Sequence, residues 1–72
     1  MGIKCRLKII MAELGIKQKW LAQKAEISHA QLSALANNKN LPTLPVAFRI
    51  AKALGMRIED IWYEEETRKE ST

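Results

Sequence analysis

Apolar residues recur along this chain at helical spacing in almost every segment. Ile3, Leu7, Ile10 and Leu14 follow one another at four, three and four residues, which predicts an amphipathic helix over Ile3–Leu14. Lys4, Arg6 and Lys8 occupy the rest of its surface, and Gly15 is a natural stop. Leu21, Ala22 and Ala25 share one face of a second helix. Ile27, Leu32 and Leu35 share one face of a third, while Ser28, His29, Gln31 and Ser33 around them stay polar. Ser28 followed three residues later by Gln31 is a capping box, which fixes where the third helix starts. The polar run from Asn37 to Pro42 is a loop, with Asn38 suited to the left-handed turn that closes a helix. Thr43 is expected to cap a fourth helix with Pro45 in its first turn and Leu44, Ala47, Ile50, Ala51 and Leu54 as its buried stripe. Gly55 ends that helix. Ile58, Ile61 and Trp62 predict a short fifth helix covering the base of the core. No segment shows the alternation of a strand. The expectation is an all-α, five-helix domain over residues 1–63 and an acidic, frayed or disordered tail over 64–72.

The second and third helices are separated only by the break at Glu26-Ile27. Helices joined so tightly cross steeply, and one can brace the other against a partner. Residue types narrow the partner. Up to Tyr63 there are ten Lys/Arg against four Asp/Glu, and beyond it two against four. A basic body suits a polyanion, most simply nucleic acid, although an ordinary solvated surface has the same composition. No apolar run exceeds four residues, so no membrane span and no secretory signal is expected, and the cytoplasm is the default compartment. The single cysteine, Cys5, cannot form an intrachain disulfide or a metal site alone, and is expected to be a reduced thiol. One histidine, one cysteine and no clustered acids leave no nucleophile–base pair and no metal set. No catalytic residue, metal or cofactor is therefore expected.

From Ile16 to Trp62 the chain resembles the Cro/phage-repressor (XRE-like, lambda-repressor-like) helix-turn-helix family. The likeness rests on Gln18, Leu21-Ala22, Ala25, Ile27-Ser28, Leu32-Ser33, Leu35 and Asn37-Asn38-Lys39. It continues through Pro42-Thr43, Ile50-Ala51-Lys52-Ala53-Leu54-Gly55 and Ile58-Glu59-Asp60-Ile61-Trp62. With Ile3–Leu14 as the first helix it covers nearly the whole chain. Three departures stand out. Glu26 replaces the usual turn glycine, Asn38 replaces the glycine that commonly follows Asn37, and Ala34 and Ala36 replace positions that are often polar. The last leaves fewer side chains for reading bases.

The resemblance implies a compact lambda-repressor-like DNA-binding domain whose third helix, about Ser28–Asn37, lies in the major groove of double-stranded DNA. Base contacts would come from Ser28, His29, Ala30, Ser33 and Ala34, with His29 donating to guanine and the alanines resting on thymine methyls or keeping the helix thin. Phosphate contacts would come from Lys17, Gln18, Gln31, Asn37, Asn38 and Lys39. Gln31 is equally suited to its capping role. Trp20 is expected to pack against the first helix. Trp62 and Tyr63 could face a second copy or, for Trp62, simply close the core. The implied function is a small bacterial or phage repressor binding an inverted repeat as a homodimer, its reading helices about 34–36 Å apart. The alternative is a protein-interaction module, or an antitoxin-type protein with a protein partner and weakened DNA reading.

Overall fold

Four helices in this chain end on the same turn. The computed structural model describes residues 2–65. Helix α1 spans Leu7–Leu14, α2 Gln18–Ala25, α3 His29–Ala36 and α4 Leu44–Leu54. They are followed by left-handed residues at Gly15, Glu26, Asn38 and Gly55, with φ of 67°, 61°, 62° and 68°. In each case the next N–H donates back to a carbonyl five residues earlier: Ile16 to Met11, Ile27 to Ala22, Lys39 to Ala34 and Met56 to Ala51, at 2.9–3.0 Å. This Schellman arrangement satisfies carbonyls that a helix end would otherwise leave open, and it reverses the chain sharply. A short α5, Ile58–Ile61, follows α4, with the Asp60 carboxylate accepting the Arg57 N–H at 3.1 Å.

Steep reversals bring the apolar stripes to one centre. The fully buried large side chains are Leu7, Leu21, Leu32, Ile50 and Ile61, one from each helix. Burial of apolar area at this point is the main favourable term for so small a chain. The stripes expected on α2, α3 and α4 lie inward, except at Leu44, which is 64% exposed. Leu14 is likewise 54% exposed, and Met11 joins Leu7 and Ile10 on the inner face of α1 instead. Leu14 is the last residue of its helix and Leu44 the first of its own, so each has the predicted angle but overshoots the core. Thr43 occupies the N-cap position of α4, yet its side chain makes no cap hydrogen bond.

The all-α expectation needs correction. Residues Gly2–Cys5 form strand β1 and Trp62–Glu65 form strand β2, paired antiparallel with Gly2 opposite Glu65 and Cys5 opposite Trp62. The Arg6 N–H extends the ladder to the Ile61 carbonyl at 2.8 Å. Ile3 precedes Leu7 by four residues and so imitates a helical stripe, but the backbone there is satisfied across the sheet rather than along a helix. Glu64 and Glu65, expected to fray, are held by this pairing and by an ion pair of Lys4 with Glu65 at 3.9 Å. The rest of the expected tail lies outside the described residues. No described helix is long and apolar enough to cross a membrane.

Candidate nucleic-acid interface

Helix α3 owes its position to its two ends. At its start the Ser28 hydroxyl accepts the Gln31 N–H at 3.0 Å while the Gln31 side-chain carbonyl accepts the Ser28 N–H at 2.9 Å. The capping box anticipated from sequence is thus closed in both directions. Inward, Leu32, Leu35 and Ala36 are buried against the core. Ala36, which departs from the family pattern, is therefore a packing residue and takes nothing from the outer surface. Outward, Ser28, His29, Ala30 and Gln31 are exposed, and Ser33 and Ala34 are half-buried one turn on. Residues 29 and 33, and 30 and 34, are i,i+4 neighbours, so the side chains expected to read bases form one strip along the first two turns.

The far end is tied down twice. The Asn37 amide nitrogen donates to the Ser33 carbonyl at 2.8 Å and lies 3.4 Å from its hydroxyl. The Asn38 side-chain oxygen accepts the Cys5 N–H at 2.8 Å, and the Cys5 thiol donates to the Leu35 carbonyl at 3.1 Å. Strand β1 therefore buttresses the end of α3, a link between positions 33 residues apart that no local pattern announces.

Two of the expected phosphate contacts, Gln31 and Asn38, have their amide oxygens committed inside the protein, and their NH2 groups have no partner among the described residues. Donors are what a phosphate needs. Gln18, the first residue of α2, has its amide nitrogen enclosed without a hydrogen-bond partner among the described residues. Lys17 precedes it in an extended conformation with no side-chain cap bond, and Lys39 is exposed beyond the left-handed Asn38. Charge favours an anion here. Between Lys4 and Arg57 the only acidic residues are Glu13 and Glu26.

A model of the Cro/C1-type HTH DNA-binding domain matches residues 6–63. The chain belongs to the Cro/C1-type helix-turn-helix family. The family is a DNA-binding one and not an enzyme family. An uncharacterized HTH-type transcriptional regulator of Methanocaldococcus jannaschii is 38% identical over 89% of this chain and 97% of its own length. A regulator of the same description from Bacillus subtilis is 31% identical over 89% of this chain and 98% of that one. The fold also matches a crystallised candidate DNA-binding protein from Bacteroides fragilis, with a TM-score of 0.78 and 24% identity. That match covers 86% of this chain and all of the other.

Within this Cro/C1-type domain the remaining expected residues separate. Trp62 is 8% exposed and belongs to the chain's own core. Tyr63 is 37% exposed, with the Arg6 guanidinium 4.8 Å from its ring centroid. Trp20 is partly exposed, and the Lys24 ammonium stands 5.6 Å from its ring. A further apolar surface lies on α4, where Leu44 and Phe48 face outward four residues apart. The i,i+4 spacing marks them as neighbours, but the helical stripe predicts Leu44 inward.

Proposed function

We propose that this protein is a sequence-specific double-stranded-DNA-binding transcriptional regulator, acting as a repressor that binds an inverted repeat as a dimer. Helix α3 enters the major groove. His29 donates to a guanine, Ser28 and Ser33 bond base edges, and Ala30 and Ala34 rest against thymine methyls. Lys17, Gln18, Gln31, Asn37, Asn38 and Lys39 hold the flanking phosphates. The observation that carries this reading is the exposed first turn of α3, where Ser28, His29 and Ala30 face outward on a helix start fixed by the Ser28–Gln31 capping box. Membership of the DNA-binding family and the names of the relatives support the same reading.

The test is selection from a pool of randomised duplexes by the purified protein near physiological salt. An enriched inverted repeat is expected, with the half-site losing definition at one base pair in His29→Ala. Retention without enrichment would reduce the function to backbone binding. No retention, even at low salt, would overturn the regulator reading and leave a protein-interaction module.

A further inference from the structure

Serine is an ambiguous reader of DNA. Its hydroxyl carries one proton and two lone pairs, so a freely turning serine can bond either a donor or an acceptor on a base edge. Ser33, half-buried on the second turn of α3, does not turn freely, because the side chain of Asn37 lies beside it one turn further on.

The orientation of the Asn37 amide is dictated by its neighbour. Its nitrogen lies 2.8 Å from the Ser33 carbonyl oxygen, which can only accept, so the NH2 end and not the oxygen end faces this residue. The same NH2 stands 3.4 Å from the Ser33 hydroxyl oxygen. That is longer than an ordinary N–H···O bond, and the contact contributes little attraction of its own. Its effect is on direction: a hydroxyl beside a donor turns a lone pair toward it and its proton away. A helical serine can otherwise send its proton inward, to the carbonyl four residues earlier, here that of His29. Among the described residues the Ser33 hydroxyl donates to no acceptor. Its proton is left for the outer side, where Ser33 follows His29 along the reading strip.

We infer that Asn37 fixes Ser33 as a hydrogen-bond donor, so that the base under Ser33 must offer an acceptor in the major groove. Guanine, adenine and thymine each do so, through N7, O6 or O4, whereas cytosine presents only its N4 amino donor there. Asn37 is then a positioning residue and Ser33 the one that excludes cytosine. The inference rests on the proposed reading of bases by α3. It is separate from the phosphate contact proposed for Asn37, since a lost phosphate contact weakens all sequences alike.

Competition binding of the full chain tests this, with duplexes that carry each base in turn at every position of the half-site enriched by selection. The position under Ser33 is the one that loses definition in Ser33→Ala. Wild type is expected to reject cytosine there about fivefold, the effect of one hydrogen bond. Asn37→Ala should reduce that rejection to less than about twofold, because a released hydroxyl reads donors and acceptors alike, while the preference under His29 stays as in wild type. Asn37→Asp sets an acceptor beside the hydroxyl, draws its proton inward and should do the same. In a Ser33→Ala background, adding Asn37→Ala should change nothing further at that position. Asn37 is exposed, so every variant should keep the far-UV circular dichroism of wild type. Rejection of cytosine that survives Asn37→Ala in the folded protein would overturn the inference and leave DNA reading intact. So would a wild-type preference for cytosine under Ser33, or a half-site that Ser33→Ala leaves unchanged. Definition lost across the whole half-site in Asn37→Ala would mark a displaced helix and overturn it as well. A wild-type protein that enriches no sequence would overturn base reading by α3 and the inference with it.

Discussion

The end of α3 and the ends of α1, α2 and α4 are built on the same turn but serve different surfaces. After the left-handed residue, α1, α2 and α4 continue with Ile16, Ile27 and Met56, each partly buried against the core. An apolar residue at that position seals the turn by packing back on the helix. Helix α3 continues with Lys39, which is exposed. Three ends are thus closed inward by burial. The fourth is held from outside by Asn38 and Cys5, and its next side chain stays in solvent. The lesson is that the turn geometry survives the exchange of its apolar seal for an exposed lysine when another segment holds the helix end.

Substitutions can break this comparison in graded steps. The largest effect is expected from Gly15→Ala. A Cβ there meets open space, so only the left-handed backbone opposes it. A loss of about 1–2 kcal/mol follows, read as a fall of several degrees in Tm. Glu26→Gly should act in the opposite sense, because Glu26 already holds φ of 61° without the freedom of glycine. A gain of up to about 1 kcal/mol is expected by chemical denaturation, the relief of left-handed strain less the entropy that glycine returns to the unfolded chain, and a clear loss would mean that the turn carries little strain. Asn38→Gly separates the two left-handed side chains. It relieves little strain and removes the acceptor for the Cys5 N–H, so stability should fall by about 1 kcal/mol, while Asn38→Asp should retain it. Smallest in stability is Lys39→Ala, expected to leave Tm unchanged. Its signature is in binding: a uniform loss across DNA sequences and a log–log salt slope shallower by about 0.9. An unchanged slope would remove Lys39 from the phosphate contacts.

What could be read from the sequence follows the range of the interactions involved. The α2–turn–α3 unit was legible because its signals are local. Leu32 and Leu35 mark one face, and Ser28 and Gln31 close a box only three residues wide. The left-handed Asn38 was equally legible, since asparagine tolerates that conformation. Strands β1 and β2 were not. Gly2–Cys5 has a single β-branched residue, and Glu64 and Glu65 are poor strand formers. Each four-residue segment is a strand only because the other lies beside it. Among the site residues, exposure of His29 and Ala30 followed from helical phase alone. The commitment of Asn38 to Cys5 could not be foreseen, because it depends on that same long-range pairing. Trp62 was ambiguous because a large aromatic at the edge of a small fold suits a core and an interface equally well.

The pairing of β1 with β2 also sets an order of events in folding. Contacts between α2 and α3 close short loops and can form early, whereas the sheet joins residues 2–5 to residues 62–65 and must close nearly the whole described chain. The Cys5 bonds to Asn38 and Leu35 depend on β1 being in place. The first turn of α3 is thus held by a local capping box, whereas the ties from Cys5 to its last turn require the two strands to meet.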